Sequence, residues 1–187
     1  MSKTKQNSLT KFYSGKFGKD FVLRNKDGNS TMAKLPKPSN KPATESQKDV
    51  KLNFRLAVNY AKKCVADPAL NAYYSSKPEK GTSVYRLAMC DYLRVPVVEG
   101  IKTQKYQGAV GDKITVIAID DFEVINVKLR ITKPDGSLIE EGPCVPDSLN
   151  SVWDYTATVD VGDTTGLVVT AAAFDTPGNM GEKSITL

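Results

Sequence analysis

Three thiols and no imidazole set the limits of the chemistry this chain can perform. Its cysteines are Cys64, Cys90 and Cys144, and histidine is absent from all 187 residues. Without histidine a Ser-His-Asp or Cys-His site cannot form, and the commonest zinc ligand is missing. A cysteine becomes a nucleophile where its pKa is lowered, and none of the three stands beside a recognisable base. Cys64 and Cys90 fall in segments that read as helical, and Cys144 follows Pro143. All three are expected to be inert packing thiols. Two acidic pairs, Asp120-Asp121 and Glu140-Glu141, are adjacent in sequence. Such neighbours are expected to form a solvated edge, not a pair with divergent pKa values. The stretch "GKFGKD" lacks the Gly-x4-Gly-Lys-Ser/Thr spacing of a phosphate loop. No catalytic role is filled, so neither an enzymatic activity nor a cofactor is expected.

Two kinds of binding chemistry remain. Asp120, Asp121, Asp175 and Asn179 fall in loops that a β-sandwich would bring to one end. Their oxygens suit Ca²⁺, but they fall short of the usual six to eight ligands, and Asp and Asn also build turns unaided. No metal is expected, with this group the weak candidate for calcium. Nucleic acid is the stronger candidate. Lys11, Lys16, Lys19, Arg24 and Lys26 could contact phosphates, while Phe12, Tyr13, Phe17 and Phe21 among them could stack on bases. Lys48, Lys51, Arg55 and Lys62 extend the basic set along one helix flank. No helix-turn-helix, zinc-finger or RNA-recognition signature accompanies them.

These side chains must be positioned by three segments. Residues 1–43 are basic and turn-rich. Within them "DFVLRNKDGNSTMAKL" reads as a hairpin about Asp27-Gly28, a two-residue type I′ signal, with Leu23 opposite Met32 and Val22 opposite Ala33. An isolated hairpin is marginal in water, so it must lie on something. "LPKPSNKPA" is an extended connector. Residues 44–96 are helical. Thr44 and Gln47 fit a capping box, and Phe54, Ala57, Val58, Ala61 and Val65 share one face. Asp67-Pro68 starts a second short helix, and Thr82 or Ser83 caps a third that Pro96 stops. The expectation is two or three short helices forming a helical hairpin.

Residues 97–187 read as β throughout. Strands are expected over Val98–Lys102, Ile114–Ile119, Val124–Thr132, Leu138–Glu140, Val152–Val159, Leu167–Phe174 and Lys183–Leu187, with turn signals between them. Seven short strands at this spacing predict a sandwich, with Trp153 in its core. The stretches "GDKITVIAIDDFEVINVKLRITKPDGSLIEEG", "WDYTATV" and "LVVTAAAFDTPGNMGEKSITL" resemble a bacterial immunoglobulin-like domain. In particular "AAAFDTPGN" is similar to the Ala-x-Asp-x-x-Gly-Asn signature before the last strand of such modules. The front of the chain loosely resembles small uncharacterised bacterial proteins with a Gly-Lys-x-Gly hairpin and a Thr-Glu-x-Gln helix start. Neither resemblance implies a reaction. The fold class expected is α+β: an N-terminal β-hairpin and short helical hairpin, then an Ig-like antiparallel β-sandwich.

Charge points to partners. Residues 1–95 hold 19 Lys/Arg against 7 Asp/Glu, while residues 96–187 hold 7 against 14. Complementary halves favour head-to-tail contacts between copies. The leading expectation is therefore a structural protein that self-associates through its N-terminal arm, with Phe12, Tyr13, Phe17, Phe21, Leu23 and Met32 as assembly residues and the hairpin pairing across to another chain. The alternative is a nucleic-acid-associated protein using residues 1–95. No membrane span or secretory signal is read. Cytoplasmic synthesis is expected, with incorporation into a phage-like or other particle as one setting.

Overall fold

The computed structural model describes residues 2–4, 13–26, 29–37, 41–77, 82–147 and 151–187. The chain divides into two compact units, Met1–Glu45 and Ser46–Leu187. The helices expected as a segment of their own over 44–96 fall in one unit with the strands that follow.

The first unit is a four-stranded antiparallel sheet. Its strands are β1 (Ser2–Thr4), β2 (Gly15–Phe17), β3 (Phe21–Lys26) and β4 (Asn29–Lys34), in the order β1-β4-β3-β2. Leu23 pairs with Met32 and Val22 with Ala33, the register that a two-residue connection dictates. Lys26 pairs with Asn29, so two residues join the strands; Asp27 and Gly28 themselves lie outside the described residues. The flanking strands β1 and β2 were not expected. Gly18 takes φ 65°, a conformation that costs glycine little, and the chain reverses so that Phe17 faces Phe21 across the ladder. Both edges of the hairpin are thereby taken by strands of the same chain. This corrects the expectation that the hairpin pairs across to another molecule.

The second unit opens with three helices. The first, α1 (Glu45–Ala66), begins one residue after Thr44 and is 22 residues long, longer than the short helices expected. It buries Ala57, Ala61 and Cys64, whereas Phe54 and Val65 remain about half exposed at 51% and 47%. Small side chains carry the close contact, so the larger flanking ones stay outside. Asp67 caps α2 (Pro68–Ser75), its Oδ1 accepting from the backbone N–H of Ala69 and Leu70 at 2.9 and 3.1 Å. Ser83 caps α3 (Val84–Leu93) in the same way. The helices share a core of Ala61, Cys64, Tyr74, Leu87 and Ala88, joined by Phe122 from a loop between strands.

Eight strands follow: β5 (Val97–Lys105), β6 (Lys113–Ile119), β7 (Val124–Thr132), β8 (Leu138–Pro143), β9 (Val145–Pro146), β10 (Val152–Thr156), β11 (Val168–Asp175) and β12 (Met180–Thr186). They form two antiparallel sheets, β5-β6-β10-β9 and β12-β11-β7-β8. Alternate residues of both sheets, among them Val98, Ile114, Val116, Leu129, Ile131, Trp153 and Val169, enter one shared apolar core. The strand β9 escaped the sequence reading because prolines bracket it; at the sheet edge Pro146 deprives the ladder of nothing. Near the start of β5 the backbone of Pro96 presses on Gly181 of β12, and Lys183 Nζ donates to the Glu99 carbonyl at 2.6 Å. The chain is thus a β-rich α+β protein. No described helix is long and apolar enough to cross a membrane.

Candidate functional site

The N-terminal sheet sorts its side chains by the two-residue period of its strands. Cross-strand partners share a face, so Phe17, Phe21, Leu23 and Met32 lie together, with Lys34 paired to Phe21 on the same side. Lys16, Val22, Arg24 and Ala33 take the opposite side. Lys19 is in the turn between β2 and β3. Phe17 and Phe21 are therefore on the opposite side of the sheet from Lys16 and Arg24. Leu23 is buried, whereas Phe17, Phe21 and Met32 are 63%, 40% and 36% exposed and Tyr13 67%. Lys11 and Phe12 lie outside the described residues. On α1, Lys48, Lys51, Arg55 and Lys62 are all exposed, and helical spacing places them along one flank.

In the second unit the residues singled out for calcium are occupied by the protein itself. Asp120 Oδ2 accepts from the backbone N–H of Phe122 and Glu123 at 2.9 and 3.1 Å. Asp121 pairs with Arg94. Asp175 Oδ1 accepts from the N–H of Gly178 and Asn179 at 2.9 and 2.6 Å, and its Oδ2 takes the Asn179 amide at 2.7 Å. That amide also faces the carbonyls of Asp91, Tyr92 and Arg94, at 3.4, 3.3 and 2.9 Å. The Asp-x-x-Gly-Asn segment thus closes the β11–β12 turn and caps the end of α3, whose last carbonyls lack helical partners. Among the described residues no group of three or more acidic or cysteine side chains is arranged to hold a metal ion.

Sequence reasoning missed the polar chain beneath this seam. Asp91 is 1% exposed, and the Tyr74 hydroxyl donates to its Oδ2 at 2.6 Å, with Tyr60 Oη a further 2.9 Å away. An acid inside the apolar run "LAMCDYL" was the available signal. Burial lifts the Asp91 carboxyl to about 6 against the pull of Tyr74, and the carboxylates of Asp175 and Asp120 push the same way. Burial raises Asp175 as well. It also raises the hydroxyls of Tyr60, Tyr73 and Tyr74, which stay protonated donors. Beside them Tyr73 donates to Glu123 at 3.2 Å and Lys77 pairs with the same carboxylate at 3.1 Å.

A measurable pH dependence follows. A carboxyl whose folded pKa lies above its unfolded value binds more protons in the folded state between the two. Its contribution is most favourable below about pH 4 and is lost as pH rises through about 6. Hydrogen bonds from Gln107, Ser137 and Thr165 hold Asp112, Asp135 and Asp163 below the usual carboxylate range, so those groups act at lower pH with the opposite sign. Asp91→Asn keeps an acceptor for Tyr74. It is expected to exceed the wild type in stability at pH 7 by on the order of 2 kcal/mol and to match it near pH 4. Urea midpoints across this range check the prediction; parallel profiles for the two proteins would refute it.

The cysteines are free among the described residues. Cys64 and Cys144 are buried, and burial raises the first and pushes the second up to about 12, so both stay protonated at neutral pH. A cleft of about 510 Å³ lies between the helices and the β6–β7 loop, lined by Lys77, Arg86, Cys90, Arg94 and Phe122 among others. Two of its cations are already paired, Lys77 with Glu123 and Arg94 with Asp121.

No family model matches the chain, and no curated protein matches it in sequence. A crystal structure of a tetra-tandem repeat in the extending region of a large adhesion protein is similar to part of it. The identity is 19% and the TM-score 0.34, over 48% of this chain and 22% of that one. A likeness of that extent fixes neither a fold nor an activity for this chain.

Proposed function

We propose that this chain is a non-enzymatic structural protein that self-associates through its N-terminal unit and carries an Ig-like domain behind it. One observation carries the reading: among the described residues, the sheet of this unit holds Phe17, Phe21 and Met32 exposed on one face. A sheet needs a second layer over its apolar face, and exposed aromatics grouped in this way mark a contact surface. Because β1 and β2 already flank the hairpin, the association is placed on this side-chain face. The unit also carries ten basic against three acidic residues, which favours an acidic partner surface.

The Ig-like assignment is supported by strand order. Lettering β5 to β12 as A, B, C, C′, D, E, F and G gives the sheets A-B-E-D and G-F-C-C′, the arrangement of that sandwich with one added strand. The buried, protonated thiols of Cys64 and Cys144 and the absence of histidine support a role without catalysis. Ig-like domains decorate particles, and a phage-like or similar assembly is the setting proposed.

Light scattering of nucleic-acid-free protein tests the reading. The wild type is expected to form species well above its 20.4 kDa monomer mass as concentration rises. Phe17→Ser/Phe21→Ser is expected to remain monomeric with its main unfolding transition intact. A wild type that stays monomeric at every concentration overturns the proposal. The second reading, nucleic-acid association, rests on the exposed basic flank of α1. It requires binding to DNA or RNA that weakens steeply with salt, and unchanged mobility with either at about 50 mM salt refutes it.

A further inference from the structure

Two polar atoms inside the sandwich stand without a partner. Tyr106 Oη and Glu140 Oε1 are buried and make no hydrogen bond among the described residues. Both residues are only 6% exposed. A buried polar atom left bare costs free energy, and most such atoms in folded proteins are paired with protein or with ordered water. The two atoms are complementary. Burial raises the Tyr106 hydroxyl, and the Glu140 carboxylate and Asp112 push the same way, so it keeps a proton to donate. Glu140 offers the acceptor: its Oε2 already takes three donors from Tyr155 and Thr158, while its Oε1 takes none. The backbone draws the two residues together. Tyr106 follows β5 directly and opens a loop tied to the segment that carries Thr158. In that tie the Gly111 N–H donates to the Ala157 carbonyl at 2.9 Å, and the Ala157 N–H donates to the Asp112 carbonyl at 2.8 Å. Tyr106, Tyr155 and Ala157 share one apolar core.

We infer that Tyr106 Oη and Glu140 Oε1 hold a single water molecule between them in the core of the sandwich. No bond joins the two atoms directly, so the group that satisfies both must accept on one side and donate on the other. Water does this: its oxygen accepts from the Tyr106 hydroxyl, and one of its own hydrogens goes to Glu140 Oε1. A metal cation accepts no hydrogen bond, and it would meet two side-chain oxygens here against the six to eight that calcium takes. An apolar occupant would leave both atoms bare. Buried waters bond to polar groups of this kind and are costly to remove. The bridge makes Tyr106 a second tie between the sheets. It joins the end of β5, at one edge of its sheet, to β8 of the other sheet, beside the direct tie from Tyr155. It holds whether or not copies of the chain associate.

Tyr106→Phe removes one hydroxyl and leaves the ring in place, and two measurements on the full chain test the inference. A crystal structure at a resolution that shows single waters is expected to place one within hydrogen-bond distance of both atoms in the wild type. In Tyr106→Phe that water is expected to be lost or to keep only its contact with Glu140. The urea midpoint of the variant is expected to fall by about 0.5 M, since a bridged hydroxyl stabilises the fold. A midpoint equal to or above that of wild type overturns the inference, because deleting a hydroxyl that has no partner costs no hydrogen bond. A direct bond between the two side chains would also lower the midpoint, and the wild-type crystal separates the cases. Tyr106 Oη lying directly on Glu140 Oε1, a cation between them with further oxygen ligands, or no water touching both atoms each overturns the inference.

Discussion

Replacing Gly181 by alanine is expected to destabilise the second unit by about 3 kcal/mol, lowering Tm by about 6–12 °C for a unit of this size. A Cβ on Gly181 would overlap the carbonyl oxygen and carbon of Pro96. These are backbone atoms, so no side-chain rotation relieves the overlap. Either β12 moves away from β11, with which Gly181 is in register at Ala173, or the start of β5 lifts off β12 and takes the buried Pro96 with it. Gly100, also on β5, faces open space and provides the control. Gly100→Ala is expected to change stability by less than about 0.5 kcal/mol. Urea unfolding of both variants measures the difference, and equal effects would show that the approach of Pro96 does not constrain the strand.

Removing the Glu140 carboxylate is expected to have a comparable effect. Glu140 lies on β8 opposite Ile131, with its side chain 6% exposed in the core. Its Oε2 accepts from Tyr155 Oη at 3.0 Å, Thr158 N at 2.8 Å and Thr158 Oγ1 at 2.7 Å. Tyr155 belongs to β10, so the carboxylate ties one sheet to the other through the core. Burial and this carboxylate together raise the Tyr155 hydroxyl to about 12. Glu140→Ala removes the acceptor of three hydrogen bonds, leaving the buried Tyr155 hydroxyl without its partner, and opens a void. The expected loss is about 3–5 kcal/mol, the range for removing one partner of a buried charged network. Glu140→Gln retains an acceptor oxygen and is expected to lose less than half as much. Equal losses for the two variants would place the effect in packing and not in the hydrogen bonds.

Glu140 also shows where the sequence stopped being legible. As half of an acidic pair it reads as a solvated edge, and Glu141 behaves so, pairing with Arg130 at 2.8 Å. Alternation along β8 turns the adjacent carboxylate inward, and sequence adjacency carries no trace of the Tyr155 and Thr158 donors 15 and 18 residues on. The Leu23–Met32 register was legible because a two-residue turn fixes it locally. Most of the later strands were legible for a similar reason, since alternating apolar residues between glycine-rich turns have few other solutions. The flanking strands β1 and β2 were not, because each is three residues long and contributes little pattern of its own. In α1 the helical spacing was correct but the chosen face was too broad. Periodicity alone does not tell which of Phe54, Ala57, Ala61 and Val65 lies at the closest contact.

The Asn179 caps bear on where this protein can be cut. An amide on the β11–β12 turn holds carbonyls more than eighty positions earlier in the chain. A fragment beginning at Val97 would keep all eight later strands yet remove the α3 carbonyls that the Asn179 amide holds, and it would discard Pro96, on which Gly181 rests. A fragment ending at Arg94 would strip the carbonyls of the last turn of α3 of the amide that donates to them. The smallest transplantable module is therefore not the pair of sheets that the strand pattern outlines. It begins with the helices, and a fusion or display scaffold made from this chain should be joined ahead of Ser46.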